Sequence, residues 1–403
     1  MPRPGPVVAI ALALALTACT SANGDQPNGT WSGAGSHTDE QDPLQVAPPN
    51  PPGGGVSGGS GRPNPPGSGA PPSGKPGTSG DPAVMAKHLI APVGLVVLPD
   101  GTALVGERTT GKVLHVQPEP GQPVPVVKTL TVDGSGDGGL LDLAISPTYA
   151  DDHLVYAYLT TSTDNRVVEF TLDGPVTPLL TGIPKGGTGN TGRLAFAPDG
   201  ELYVGTGDTG NPALAADPAS LAGKVLRVTD IGDPSPDNPD PHSSVFTRGH
   251  HLVDGLCALP DGSGALEVEP TRSGPAEINL LLPGSDYGWP TPSAASKPAA
   301  AHAPTGNDDV GGCAILANTL FIASMDGKRL LTATIRGSGR SVRVSGFGDQ
   351  VRNKYGRLRS VAAGADGSIW LTTSNKDGHG KPVADDERVI RLPLTPTSPN
   401  NPA

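Results

Sequence analysis

The stretch Leu98-Pro99-Asp100-Gly101-Thr102-Ala103-Leu104-Val105 decides the fold, because the chain repeats it. Ala197-Pro198-Asp199-Gly200 runs into Leu202-Tyr203-Val204, and Leu259-Pro260-Asp261-Gly262 into Ala265-Leu266-Glu267-Val268. Ala365-Asp366-Gly367 runs into Ile369-Trp370-Leu371. Two weaker copies fill the gaps: Ser146-Pro147 before Leu154-Val155-Tyr156, and Ala317-Asn318 before Leu320-Phe321-Ile322. With Pro99, Pro147, Pro198, Pro260, Asn318 and Asp366 as markers, successive copies lie 48, 51, 62, 58 and 48 residues apart. Each copy has one physical reading. Proline fixes φ, glycine accepts φ > 0, and an apolar strand on either side makes the unit a hairpin. Further strands follow, such as Lys112 to Val116, Val167 to Leu172 and Arg329 to Ile335, and long helical periodicity is missing. Six repeats of about four strands predict an all-β, six-bladed β-propeller over residues 83–393. Its last blade is expected to close by pairing Arg388 to Leu392 beside Met85 to Ile90, which satisfies two sheet edges at once. Aromatic residues make up only 3% of the chain, so the blade cores must be built from Val, Leu, Ile and Ala.

Ahead of the repeats lies a different kind of sequence. Arg3 gives a short basic start, and Val7 to Leu16 is an apolar run too short to span a bilayer permanently. Leu16-Thr17-Ala18-Cys19 ends that run with small residues directly before a cysteine. This resembles the lipobox of bacterial lipoproteins, which makes residues 1–18 a signal peptide and Cys19 the acylated first residue of the mature chain. Acyl chains of the palmitate kind contribute ~0.8 kcal/mol per buried CH₂, so two or three form a lasting membrane anchor. Residues 19–82 are mostly Gly, Pro, Ser, Asn and Asp, as in Pro48-Pro49-Asn50-Pro51-Pro52-Gly53-Gly54-Gly55. Such a segment buries too little surface to offset chain entropy and reads as a disordered linker, as does the tail 394–403. A flexible coil of this length reaches roughly 45 Å. The expected location is therefore the extracytoplasmic face of a cell membrane, with the lipid as the only attachment.

The net charge of −11 leaves no basic patch for nucleic acid, which excludes that class of partner. Cys257 and Cys313 remain after lipidation, in no metal-binding spacing. In an oxidising compartment they could pair, and spacing alone leaves both the bridged and the free state open.

Several further segments stand out across the repeat region. They are Gly138-Gly139-Leu140-Leu141-Asp142-Leu143-Ala144, Gly192-Arg193-Leu194-Ala195-Phe196-Ala197-Pro198-Asp199-Gly200 and Tyr203-Val204-Gly205-Thr206-Gly207-Asp208. Leu221-Ala222-Gly223-Lys224-Val225-Leu226-Arg227, Glu277-Ile278-Asn279-Leu280, Asp286-Tyr287-Gly288-Trp289-Pro290 and Gly356-Arg357-Leu358-Arg359 continue the series in family order. Together they resemble the glucose/sorbosone dehydrogenase family of soluble quinoprotein aldose dehydrogenases, and with its lipobox and tether the chain is most similar to the LppZ type of lipoprotein within that family. The resemblance implies a six-bladed propeller that binds pyrroloquinoline quinone (PQQ) and calcium.

The family's functional positions are then compared one by one, since fold alone carries no chemistry. The general-base histidine falls at Gly189, and glycine cannot take a proton. Asp208 keeps the aspartate that supports that histidine, and on this reading has nothing left to support. A PQQ-contacting glutamine becomes Asp137, and an Arg-Asn pair becomes His251-Leu252. A Gly-Pro pair that offers calcium its carbonyls becomes Thr271-Arg272, and a lysine becomes Asp326. Of the cationic clamp for the cofactor's carboxylates, Arg357 and Arg359 remain. Two readings follow, and a third, a purely structural envelope scaffold, cannot be separated from the first by sequence. In one, the PQQ site is eroded, the chain holds no cofactor or metal, is not an enzyme, and binds a small ligand or another envelope protein. In the other it is a divergent sugar dehydrogenase using PQQ and calcium, with His251 as the substitute base.

Other constellations are weaker. His250 and His251 are neighbours on an extended segment and point opposite ways, so His250 reads as structural and His251 as facing the channel. Gly186 to Gly192 lacks the Lys-Ser/Thr and helix of a phosphate loop. Asp233, Asp237, Asp240 and His242 lack calcium-loop spacing and read as a solvated connection.

The anchor has a direct test. Cys19→Ser should leave an unlipidated protein in the soluble fraction, and retention on membranes at the wild-type level would reject a lipid attachment.

Overall fold

The structure, a computed structural model, describes residues 80–395 except 307–308, together with the short strand Gln45–Val46. The signal segment, Cys19, most of the linker and the tail from 396 lie outside the described residues. One detail departs from the composition-based expectation of coil on both flanks. Gln45–Val46 pairs antiparallel with Leu394–Thr395, so two residues of each flank are joined in a short backbone ladder.

The Pro-Asp-Gly unit is a turn in every strong copy. Asp100, Asp199, Asp261 and Asp366 each accept, at 3.0 Å, the backbone N–H two residues on. The glycine that follows takes φ +84, +89, +71 and +80°, a left-handed conformation that glycine adopts without steric cost. The two weak copies solve the same corner otherwise. A four-residue helix, Tyr149–Asp152, follows Pro147, and Ala317 takes φ +51° before Asn318.

All six markers fall between the first and second strands of a four-stranded antiparallel sheet, and the described residues hold six such sheets. The innermost strands are Pro92–Val97, Leu140–Ile145, Gly192–Phe196, Gly255–Ala258, Val310–Leu316 and Leu358–Ala363. Each touches the next around a closed ring, and blades one to six take their order from these strands. The strand expected at 167–172 runs from Asn165 to Phe170, because the Asp173-Gly174 corner turns the chain earlier.

The core is divided like the ring, with one apolar cluster between each pair of neighbouring blades. Leu104, Val113, Leu140 and Phe170 join blades one and two, and Tyr156, Tyr158, Leu202 and Leu226 join two and three. Tyr203 and Phe246 pack against Leu256 and Leu281, and Val268 and Ile278 against Leu320 and Ile322. Phe321 meets Leu371 and Ile390, and Trp370 closes the circle against Val105 and Val116. Each fully buried side chain of this size contributes about 1.5–3 kcal/mol.

Ring closure follows the sequence-based expectation, but the closing strand is shorter and starts one residue earlier than Met85 to Ile90. Val84–Ala86, from the start of the domain, is the outer strand of blade six and pairs with Val389–Leu392 from its end. Asp81 fixes the point of entry, accepting from the Ala83 N–H at 3.0 Å and the Tyr355 hydroxyl at 3.1 Å.

The pairing left open by spacing is made: Cys257 and Cys313 form a disulfide, with Cα atoms 6.1 Å apart. It ties the innermost strands of blades four and five and encloses a separation of 56 residues. By chain entropy such a loop stabilises the fold by about 4 kcal/mol. Cys257→Ser should lower the urea midpoint accordingly, and reduced wild type should fall on the same curve. A variant as resistant as the oxidised protein would show that the bridge constrains nothing.

Candidate functional site

Strand alternation sorts the connections. The six first-to-second-strand turns lie at one end of the ring, and the second-to-third and blade-to-blade connections at the other. Gly189, Asp137, Asp208, His251, Arg272, Asp326, Arg357 and Arg359 all sit at that second end, whereas Asp233, Asp237, Asp240 and His242 lie at the first, in the third-to-fourth-strand connection of blade three. Trp289 reaches it by a detour, because the 281–300 connection of blade four climbs back beside blade three. Asp286 bridges Arg248 in parallel there, and the Trp289 N–H donates to the Gly249 carbonyl at 2.9 Å.

Gly189 lies in a loop shaped by backbone and carboxylate. Asp137 accepts from the Gly189 N–H and, at 2.6 Å, from the Asn190 amide, so its charge is used to hold this loop. Gly189 has φ +71°, and a Cβ there would sit 2.9 Å from the Gly210 nitrogen and 3.0 Å from that of Thr209. The position therefore admits no side chain without movement of two loops.

Asp208, expected to be without a partner, has three. It is 2% exposed, and its carboxylate accepts from the Trp289 indole N–H and the Gly210 backbone N–H, each at 2.9 Å, and lies 3.8 Å from His251 Nε2. The reason is topological: Asp208 follows the second strand of blade three, and His251 belongs to the connection leaving the same blade. The His251 ring stacks on Trp289 with centroids 4.1 Å apart, and the Arg272 guanidinium covers Trp289 at 4.3 Å. Burial lowers the His251 pKa and Arg272 pushes the same way, while Asp208 opposes them. The balance keeps the imidazole neutral at pH 7 and able to accept a proton. His250, as expected, points away and is fully buried.

The two retained arginines differ in state. Arg357 is 2% exposed and bound to both Asp326 and Asp377, the latter at 2.8 Å, so its charge is neutralised within the protein. Among the described residues, Arg359 has the Met325 sulfur, at 3.6 Å, as its one hydrogen-bond partner and makes no ion pair. It lines a cleft of about 540 Å³ with Arg108, Lys376, Asp137 and Glu387. Arg108 donates to the Gly136 and Gly138 carbonyls at 3.1 and 2.7 Å and likewise makes no ion pair. Close by, buried Arg193 donates to the Asp254 carbonyl at 2.6 Å. Burial pushes the Asp254 carboxyl up to about 6 against the pull of Arg193 and Arg359.

Sequence reasoning missed Arg108 and Asp377. Both lie one to four residues past the second strand of their blade, as do Asp208, Arg272 and Asp326. Superposing the repeats at that offset would have gathered the set. Asp233, Asp237, Asp240 and His242 form no ligand-distance cluster among the described residues.

A closed six-bladed ring with a His–Asp pair and a guanidinium-lined cleft at one end defines a propeller of the sugar-dehydrogenase class. The chain belongs to the Glucose / Sorbosone dehydrogenase family, which matches residues 89–312. It is 32% identical over 251 residues to quinoprotein glucose dehydrogenase B of Acinetobacter calcoaceticus, a match covering 52% of each chain. It therefore spans about half the length of that relative. The PQQ-bound aldose sugar dehydrogenase of Streptomyces coelicolor superposes with a TM-score of 0.72 at 35% identity, over 77% of this chain and 96% of that one. The apo aldose sugar dehydrogenase of Escherichia coli shares the fold, with a TM-score of 0.66 at 22% identity over 78% and 98% of the two chains.

Asp254 gives the site a pH signature. Its folded pKa lies above the ordinary carboxylate value, so the folded state binds the proton more tightly, and stability falls as pH rises from about 4 to about 6. Asp254→Asn removes that loss. The variant should gain roughly 1–3 kcal/mol relative to wild type across this window, read from paired urea melts. Parallel pH profiles would place the Asp254 pKa at its ordinary value.

Proposed function

We propose that this chain is a lipid-anchored envelope propeller, held through Cys19 at the extracytoplasmic face of the membrane. Its end cleft binds a small anionic ligand and performs no quinone chemistry. The observation that carries this reading is the division between the arginines: Arg357 is neutralised by two carboxylates, whereas among the described residues no carboxylate is in ion-pair contact with Arg108 or Arg359, which face the cleft. A ligand bearing a carboxylate or phosphate finds two guanidinium donors there, each charged hydrogen bond contributing about 1.5–3 kcal/mol.

The residues do not fit PQQ with calcium. The base position is a glycine whose surroundings exclude a side chain. Where calcium would need carbonyl ligands, Arg272 sets a positive charge against Trp289. Of the clamp, Arg357 is spent on Asp326 and Asp377, and the lysine position is itself the carboxylate Asp326. Losing two charged partners costs several decades of affinity at 1.4 kcal/mol per decade.

One observation favours the second reading, a divergent PQQ- and calcium-dependent aldose dehydrogenase. His251 stands 3.8 Å from buried Asp208, the pairing a general base needs. The experiment separates the two. Calorimetry with PQQ and calcium should give no heat of tight binding, and no aldose should reduce a dye in the reconstituted protein. Phosphate and citrate should raise the melting temperature of wild type and not of Arg359→Gln. Turnover abolished by His251→Ala would overturn the binding reading and establish the enzyme.

A further inference from the structure

Behind the His251 loop lies a cluster that neither the ligand cleft nor the His–Asp pair uses. His250, Glu267 and Glu269 bring one imidazole nitrogen and two carboxylate oxygens within 4.8 Å of one another. Glu267 and Glu269 stand two residues apart on the second strand of blade four, and so on one face of it. The connection from blade three lays His250 over that face. His250 and Glu267 are fully buried, and Glu269 is 5% exposed.

Three polar atoms here lack a partner: His250 Nδ1, Glu267 Oε1 and Asn279 Oδ1. His250 Nδ1 faces Glu267 across 3.7 Å, while Nε2 is held by the Thr247 hydroxyl at 2.8 Å and the ring stacks on Tyr287. The Asn279 amide orients Glu267 at 2.8 Å, and the His251 N–H orients Glu269 at 3.0 Å. Neither glutamate pairs with a lysine or arginine among the described residues. Lys224, a cation nearby, donates instead to the Leu214, Ala215 and Ala222 carbonyls. Two buried carboxylates without a counter-cation cost several kcal/mol each when ionised.

We propose that His250, Glu267 and Glu269 bind a first-row divalent cation of the zinc or manganese type. Two carboxylates and one neutral imidazole cancel its charge. Such an ion carries its ligands at about 2.0–2.2 Å, so a shell about 4 Å across matches the span of the three atoms. Thr247 supplies the arrangement usual for a ligating histidine, with Nε2–H donating to oxygen and Nδ1 left for the metal. The ion would be structural. It would fix the segment that carries His251, because His251 itself donates to Glu269.

The test uses the full chain in detergent, purified without chelator. Elemental analysis should find about one zinc or manganese per chain. EDTA should lower the melting temperature by about 5 °C, and added zinc or manganese should restore it. Glu267→Gln should retain no metal and melt at one temperature with or without EDTA, with its circular dichroism confirming the fold. A wild type that holds no stoichiometric metal and ignores EDTA, zinc and manganese would overturn the proposal. That result would leave two carboxyls kept neutral by protons. Occupancy by calcium alone would overturn it equally.

Discussion

A ring of sheets stands or falls on its closing seam. Each of the first five blades takes four consecutive strands, but the sixth finds only three at the end of the domain and borrows Val84–Ala86 from its beginning. Those backbone hydrogen bonds hold two distant parts of the chain together, and without them Val389–Leu392 would be a free edge. The packing of every neighbouring pair of blades presumes this closure, since the cluster around Trp370 draws on blade six, blade one and the closing strand together. The disulfide between blades four and five adds a covalent tie elsewhere on the circle.

Closure also organises the chemistry. Because strands alternate in direction, tight Asp-Gly turns collect at one end, and the other receives longer connections free to vary. Residues far apart in sequence then share one rim. Asp208 and Trp289 are separated by 81 positions and hydrogen-bond directly, and Asp137 crosses 53 to reach Asn190. The same convergence explains why a residue-by-residue comparison with relatives misjudges charge. Arg357 counts as a retained cation until Asp326 of blade five and Asp377 of its own blade are seen to bind it.

Much of the fold was legible because Pro-Asp-Gly turns are local: one residue fixes φ, the next supplies an acceptor, and the third accepts positive φ. All six first turns and the closing strand could be read from their spacing. The second strand of each blade showed less of its chemistry. Glu267 and Glu269 alternate with Leu266 and Val268, a pattern that reads as half-exposed strand, yet all four are buried. Burial on both faces is a property of a blade sandwiched between neighbours, which period-two alternation cannot report. The His251–Asp208 pair was likewise hidden, although both residues were singled out, because nothing in their spacing says that they share a rim.

The closing strand has a mechanical consequence. Tension on the chain ahead of residue 80 meets the ladder of Gln45–Val46 to Leu394–Thr395 first and then the seam of the ring, where Asp81 is held by Tyr355 and Lys354. Behind them stand the short Val84–Ala86 ladder and the hydrogen bond from the Arg391 N–H to the Ala83 carbonyl. The disulfide lies off this path, since Cys257 and Cys313 sit on blades four and five. Pulled from its amino-terminal side, the domain would therefore yield by peeling at blade six, while the cross-linked blades kept their shape.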